Sequence, residues 1–345
     1  MKVGINVSFL NSMNKGRGIG FYTEYLVESL KKYTDFEVVT IESHEAKPKV
    51  DLIHYPFFDF FRPTLKIDKK IPTVVTIHDV IPLLFPKVYP AGIRGKINLF
   101  RQKQALKKVD AVITDSHTST QDVLKVFKLP KDDVFTVYLA QAEHFKKLSQ
   151  MEVKKTLAKF SLPEKFVLYT GGVNWNKNIL GQTEAALAAG VDIVFAGKGF
   201  ETKTNLDHPE LRNFAAFLAK YQNNPKVHIL GFVSDQEVVA LMNAALTVLF
   251  VSFYEGFGLP ILEAQACGVP VITGNNSSMQ EVVGEKGIRV DAQEISDISQ
   301  EIKKMEDYAY RQKIIEYGLQ NIKRFSWEIT AQETVKVYEY ALSKK

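Results

Sequence analysis

Residues 246–272 read LTVLFVSFYEGFGLPILEAQACGVPVI. The first five residues form an apolar run broken only by Thr247, with the length and β-branched content of a buried strand. Gly256 and Gly258 mark a turn, and helical spacing sets in at Pro260, where a missing N–H costs little because the first helical turn has no intrahelical acceptor for it. Residues 269–272 are strand-like again. Strand, helix and strand in so short a span make a crossover unit, which requires parallel strands and a helix lying on the sheet face.

The same alternation extends in both directions. Upstream, residues 2–8, 37–41, 52–55, 73–78, 111–114 and 134–137 read as strands separated by helical patterns. Near Lys146 the pattern gives way to a polar, helix-prone segment over 151–160 that ends at Ser161-Leu162-Pro163 and reads as a linker. A second set of strands then occupies 166–169, 193–195, 227–229, 246–250 and 269–272, with helices expected after Lys177, from Asp235 and from Pro260. The expected class is therefore α/β, with two Rossmann-like, doubly wound parallel-sheet domains over residues 1–148 and 149–325 and a closing helix over 326–345. In such sheets ligands bind at the carboxyl ends of the strands, and two facing domains would enclose a cleft.

Composition narrows the functional class. A chain of 345 residues with 46% hydrophobic and 24% charged residues can bury full cores, which argues against disorder or a small stapled module. Its one cysteine, Cys267, cannot form an internal disulfide and is expected to pack rather than react. The apolar stretch over 244–254 is far below the roughly 20 residues that span a bilayer, and the first residues lack a signal-peptide core, so the expectation is a cytoplasmic protein. Residues 1–150 carry 23 Lys+Arg against 16 Asp+Glu, a balance of +7, which leaves 21 against 23, or −2, for the rest. Seven cations lie between Lys87 and Lys108 with no acid among them. Such a stretch suits phosphate-bearing partners or an anionic membrane face, and a solvated helix face accounts for it equally. The aromatic segment over 55–61, YPFFDFF, has three readings: sugar stacking, a bilayer interface or core packing.

The candidate chemistry concentrates in residues 252–264. The loop after the 246–250 strand exposes backbone N–H groups at Gly256, Phe257, Gly258 and Leu259 together with the positive end of a helix dipole, an arrangement that attracts phosphate oxygens. Glu255 and Glu263 bracket it, and carboxylates accept hydrogen bonds from vicinal hydroxyls, so one suits a sugar and the other a ribose. Lys177, after a strand and at a helix start, offers an ammonium to a diphosphate. His78 and Asp79 end another strand, at the sheet end where ligands bind. Gly16, Gly18 and Gly20 differ from a dinucleotide fingerprint and suit close backbone approach to a diphosphate or an acceptor, with a plain flexible turn as the other reading. The seven histidines show no zinc-ligand spacing, there is no D-x-D, and no nucleic-acid-binding motif is recognisable. Ser278 and Glu281 have the spacing of a helix capping box.

The pattern resembles the family 4 retaining glycosyltransferases of GT-B fold, whose E-x7-E motif corresponds to Glu255 and Glu263. The likeness covers most of the chain. The glycine loop over 16–23, TVVTIHDVIPLLFP over 73–86, AVITDSHTS over 111–119, GGVNWNKN over 171–178, LGFVSD over 230–235 and the segment 275–282 follow in order, and Phe325-Ser326-Trp327 opens a last helix that in the family crosses back to the first domain. The stretches over 73–86 and 111–119 are similar to a subgroup that includes bacterial mannosyltransferases of surface-polysaccharide assembly. The resemblance implies donor contacts from Gly18, Gly172, Lys177, Phe232, Val233, Glu255, Gly256, Phe257, Gly258, Leu259 and Glu263. Within these, Lys177 meets the diphosphate, Phe232 and Val233 pass the nucleobase, Glu255 orients sugar hydroxyls and Glu263 holds the ribose. It implies a catalytic set of His78, Lys177 and Glu255, with Arg17 and Asp79 on the acceptor side. Gly172 and Asn176 stand where the family often has a second cation, a place Arg17 is expected to fill.

The implied reaction moves a hexose with retained configuration from a nucleotide diphosphate sugar, best matched by GDP-mannose, to a saccharide or lipid-linked saccharide. The sugar is attacked on the face from which the phosphate leaves, and that phosphate takes the acceptor proton. It needs neither a metal nor a further cofactor, and peripheral association with an anionic membrane through the basic first half is part of the same expectation. A UDP-sugar donor, a sugar-nucleotide epimerase or phosphorylase, and a non-catalytic sugar-nucleotide-binding protein are the alternatives.

Overall fold

A computed structural model describes residues 1–11, 18–42 and 49–345. Arg17 and Gly16, read above as part of the glycine loop, lie outside the described residues, as does His44. The chain forms two compact units: Met1–Pro86, Pro90–Ala140 and Phe325–Lys345 make the first, and Lys87–Tyr89 with Gln141–Arg324 make the second.

In the first unit, β1 (Lys2–Asn6) leads through α1 (Gly18–Tyr33) to β2 (Glu37–Ile41), and β3 (Leu52–Tyr55) and β4 (Thr73–Thr76) follow. A short α2 (Ile81–Leu84) and the longer α3 (Gly92–Leu106) precede β5 (Ala111–Thr114), α4 (His117–Phe127) and β6 (Val134–Thr136). The six strands are all parallel in the order β2-β1-β3-β4-β5-β6. β3, β4 and β5 are buried along their whole length, as the central strands of a doubly covered parallel sheet should be. Helix α4 begins where the Ser116 hydroxyl accepts from the Ser119 N–H, satisfying a first-turn donor.

The aromatic segment over 55–61 resolves as core and not as an exposed surface. Phe58 and Phe60 are buried and pack on Phe127 of α4, and Tyr55 is buried with its hydroxyl donating to the Lys66 carbonyl. The reason is local: Asp59 Oδ1 accepts from the N–H groups of Phe61 and Arg62, which curls the segment and turns its rings inward.

The second unit opens with α5 (Gln150–Leu157), capped reciprocally by Ser149 and Glu152. It continues through β7 (Phe166–Thr170), α6 (Ile179–Ala188), β8 (Asp192–Ala196), α7 (Arg212–Tyr221), β9 (Val227–Gly231), α8 (Asp235–Ala244), β10 (Thr247–Phe250), α9 (Leu259–Ala266), β11 (Val271–Gly274), α10 (Met279–Val283), β12 (Ile288–Val290), α11 (Ile295–Lys304) and α12 (Tyr308–Asn321). Its parallel sheet has the order β12-β11-β10-β7-β8-β9. From β7 the chain winds outward through β8 to β9, then returns to the other side of β7 with β10, so β7 and β10 flank the point where winding reverses. Ligands bind at such a point in doubly wound sheets. The chain ends in α13 (Trp327–Ser343), which belongs to the first unit and packs on α1, β4 and β5. Among the described residues no helix is long and apolar enough to cross a membrane.

Candidate active site

The loop after β7 and the loop after β10 meet at the reversal point of the second sheet. Glycines shape the backbone around this point. Gly197, just after β8 at φ +150°, lies so near the Gly171 carbonyl that no Cβ would fit there, and Gly258, at φ +117°, turns the chain into α9 with Pro260 in its first turn. Asn176 joins the two loops: its Nδ2 donates to the Tyr254 carbonyl at 2.9 Å, its own carbonyl accepts from the Phe253 N–H at 2.7 Å, and its Oδ1 accepts from the Tyr89 hydroxyl at 2.9 Å. Asn178 donates to the Val251 and Ala292 carbonyls, and Gln182 accepts from the Val251 N–H.

That frame brings Lys177 and Glu255 together. The Lys177 ammonium donates to both Glu255 oxygens, at 2.8 and 2.9 Å, and lies 5.6 Å from the centre of the Phe250 ring. Glu255 is buried. Its carboxylate therefore has a cation at hand, which a buried charge requires. The loop after β11 completes the arrangement: Ser277 Oγ accepts from the Glu255 N–H, and the Ser278 hydroxyl lies 2.9 Å from the Glu255 carbonyl and 2.7 Å from that of Phe257. The Ser278–Glu281 spacing had suggested a capping box, but the Ser278 side chain caps nothing on α10 and instead fixes the loop that presents Glu255. Two further hydroxyls, Thr170 Oγ1 at the last residue of β7 and Ser252 Oγ after β10, are buried with no hydrogen-bond partner among the described residues. Buried polar groups are normally satisfied, so polar atoms left over at a sheet's reversal point mark a place where a polar ligand fits.

Other expected residues distribute around this centre. Gly256, Phe257 and Gly258 are buried between Glu255 and α9, with Leu259 half-buried at its start, and Gly172 is half-buried beside the Tyr169 hydroxyl that donates to its carbonyl. Burial, followed by the Glu255 charge, pushes that Tyr169 hydroxyl well above its ordinary range. Glu263 sits further along α9, half-buried, where burial first and Asp235 second push its carboxyl up to about 8. Val233 is buried, whereas Phe232 is 66% exposed and its backbone N–H donates to Glu201. Cys267 is buried and unoxidised, with its thiol pushed up to about 12 by burial and by Glu263, as a packing residue should be.

His78 and Asp79 belong to the first unit, at the carboxyl end of β4, and Gly18 opens α1. The Asp79 carboxylate accepts from the Ile81 N–H at the start of α2. Both His78 ring nitrogens are engaged within the unit: Nδ1 lies 2.7 Å from Asp115 Oδ2 and Nε2 3.0 Å from the Pro56 carbonyl, while the Tyr22 ring stands edge-on at 4.7 Å. A carbonyl only accepts, so Nε2 carries a proton; with a carboxylate at Nδ1 the ring favours the doubly protonated form. Burial is the largest single influence and would lower the pKa of His78, but the Asp115 charge and hydrogen bond, together with the Asp79 charge and the Pro56 carbonyl, outweigh it, and the net direction is upward. Behind it lies His54, held neutral with its pKa lowered to about 3 by burial and then by the charge on His78, between the Tyr338 and Thr76 hydroxyls. Asp115 was not singled out in the sequence, because nothing in AVITDSHTS announces a partner 37 residues away.

Comparison with known proteins decides the family. A family model described as glycosyl transferases group 1 matches residues 152–321, and one described as glycosyltransferase family 4 matches residues 18–140. The chain belongs to these glycosyltransferases. The transferase is 29% identical to O-antigen chain mannosyltransferase B of Escherichia coli over 308 residues, which cover 86% of this chain and 78% of that protein. Its fold matches sucrose-phosphate synthase from Thermosynechococcus elongatus with a TM-score of 0.77 at 18% identity, covering the whole of both chains. It also matches Anabaena HepE, solved in complex with UDP and glucose, with a TM-score of 0.73 at 17% identity over 98% of this glycosyltransferase and 99% of that chain. At such identities the likeness establishes the fold, two parallel-sheet units of the glycosyltransferase B type.

Proposed function

We propose that the protein transfers a mannosyl group from GDP-mannose to a hydroxyl of a saccharide or lipid-linked saccharide, with retention of configuration. The observation that carries this reading is the meeting of Lys177 and Glu255 at the reversal point of the second sheet, beside the amides that open α9. In the reaction the bond between the sugar's anomeric carbon and the β-phosphate oxygen breaks, the acceptor oxygen bonds to that carbon on the same face, and the acceptor proton passes to the departing phosphate. Negative charge develops on the diphosphate as the bond lengthens. In this reading Lys177 and the backbone N–H groups from Gly256 to Leu259 meet the departing diphosphate, where fixed donors act on developing charge. Lys177 would turn from Glu255 toward the phosphates, leaving Glu255 to accept from sugar hydroxyls and Glu263 from the ribose. Similarity to a mannosyltransferase supports mannose as the transferred group.

A panel of nucleotide sugars screened by thermal shift tests the donor. A ligand at about 100 times its dissociation constant adds roughly 2.7 kcal/mol to the folded state. GDP-mannose is expected to stabilise most, and a larger shift with a UDP-sugar would overturn the donor assignment. Because the leaving group is met by an ammonium and amides, chelation of divalent ions is expected to leave turnover within about twofold. Activity lost to chelator and restored by magnesium or manganese would contradict this account.

Glu263 yields a pH prediction. Its folded pKa is raised, so between the ordinary carboxylate range and about 8 the folded state holds a proton that the unfolded state has released, and stability falls as pH rises across that window. Glu263→Gln is expected to remove this slope, raising the melting temperature at pH 8 relative to wild type while weakening donor binding. Melting curves from pH 5 to pH 9 check it.

A further inference from the structure

Helix α10 is held at its head by Ser278, which binds the Glu255 and Phe257 carbonyls, and at its tail it borders a cavity of about 550 Å³. That volume falls within the roughly 300–1,000 Å³ of small-molecule sites. The cavity lies wholly in the second unit, between α10 with the turn that follows it, β12 at the sheet's edge, and the end of α12. From the α12 side, Tyr317, Gln320, Asn321 and Arg324 recur at the spacing of one helix face. A face turned toward its own unit for packing alone would be apolar, whereas this one carries a phenol, two amides and a guanidinium.

The floor is closed and its polar atoms are satisfied. Gly284, at φ +81°, leaves no room for a Cβ, which would lie 2.3 Å from the Tyr317 hydroxyl and 2.5 Å from Asn321 Oδ1. Buried Asn321 donates to Gln265 Oε1 and to the Val282 carbonyl and accepts from Arg324 Nη1. The walls differ. Arg289, from the exposed middle of β12, donates to the Glu285 carbonyl at 3.0 Å and has further N–H groups to offer. The Glu285 carboxylate, the Lys286 ammonium, the Gln320 amide and the Tyr317 hydroxyl have no partner among the described residues. Donors and acceptors are interspersed along this wall: Lys286, Arg289 and Arg324 only donate, Glu281 and Glu285 only accept, and Gln320 does both.

We propose that this cavity is a second, non-catalytic site for a neutral oligosaccharide. A hydroxyl donates and accepts at once, so a row of neighbouring hydroxyls satisfies Arg289 and Glu285 together, and the Tyr317 ring offers an apolar face to the C–H side of a sugar. Charge selects this occupant. An anion would meet the Glu281 and Glu285 carboxylates, and a cation would meet Lys286, Arg289 and Arg324, whereas an uncharged polyol desolvates neither sign without a partner. A saccharide held here is anchored on the unit that carries the Lys177–Glu255 centre without using any residue of it. The inference therefore does not rest on the donor assignment.

Saturation-transfer NMR titrations on the full chain test it, with mannotriose and maltotriose as neutral probes and trimannuronate as an anionic probe of matching size. Wild type is expected to bind at least one neutral trisaccharide, and to bind it more tightly than the uronate. Arg289→Ala and Glu285→Ala each change an exposed side chain outside the donor site. Each is expected to weaken trisaccharide binding about tenfold, the worth of a hydrogen bond to a charged group, while keeping the wild-type melting temperature and thermal shift with donor. Binding of neither neutral trisaccharide would overturn the proposal. So would equal affinity in wild type and both variants, because the saccharide would then sit elsewhere on the chain. Tighter, salt-sensitive binding of trimannuronate would also overturn it, by making the cavity an anion site. A wild type that binds a trisaccharide in this way but shows no thermal shift with any nucleotide sugar would uphold the inference and speak against the donor reading alone.

Discussion

Lys177→Ala is expected to lower kcat on the order of 100- to 1,000-fold, the usual cost of removing one fixed donor from a site of developing negative charge. It is also expected to destabilise the protein by about 3 kcal/mol, because the buried Glu255 would be left without its cation. The two losses have different causes and are separable. In Lys177→Ala/Glu255→Gln the buried charge is gone, so stability should recover most of the way while transfer stays lost. Chemical denaturation and steady-state kinetics on the single and double variants measure both. Recovery of activity along with stability would show that Lys177 serves only the fold.

The second large effect is expected in the first unit. Asp115→Asn removes the charge that offsets burial at His78, so the ring should lose its second proton at lower pH than in wild type. The groups facing His78 are Asp115, Asp79, the Tyr22 ring and the neutral His54, and of these only Asp115 pairs with it directly. The sign follows from the raised folded value. The stability contributed by the charged pair is complete below the ordinary histidine value of about 6.5 and is lost as pH climbs through the folded value. Wild type and Asp115→Asn should therefore differ most in melting temperature at mildly acid pH, with the gap narrowing toward alkaline pH. Histidine side-chain NMR reads the titration itself. If His78 contributes a fixed charge to transfer, His78→Ala should cost on the order of 100-fold in kcat, and Asp115→Asn should match wild type only at low pH. Unchanged kcat in His78→Ala would confine the pair to folding.

Much of this was legible in the sequence because it is encoded locally. The run 246–272 announces strand, glycine turn and proline-started helix, and the structure realises β10, α9 and β11 there, with Glu255 and Glu263 on the loop and the helix as read. The pairing of Lys177 with Glu255 spans 78 residues and arises from the reversal of winding between β7 and β10, which no local spacing reveals. Ser278 shows the converse failure. Its spacing to Glu281 is a valid capping signal, but the tertiary contact to the Glu255 and Phe257 carbonyls takes the hydroxyl first. β12 escaped notice because it is three residues long with Arg289 exposed in its middle, at the sheet's edge. On α3 the cations are visible in the sequence, whereas the side of the helix they occupy emerges only once Gly95, Gln102 and Leu106 define which side faces the core.

The most direct test of the central claim is calorimetric titration of GDP into wild type and Lys177→Met, each first shown to be folded. The account predicts measurable binding to wild type and at least about tenfold weaker binding to the variant, the worth of one charge-assisted contact. Equal affinity in the two proteins would contradict it, because the diphosphate would then be held somewhere other than the meeting point of the β7 and β10 loops.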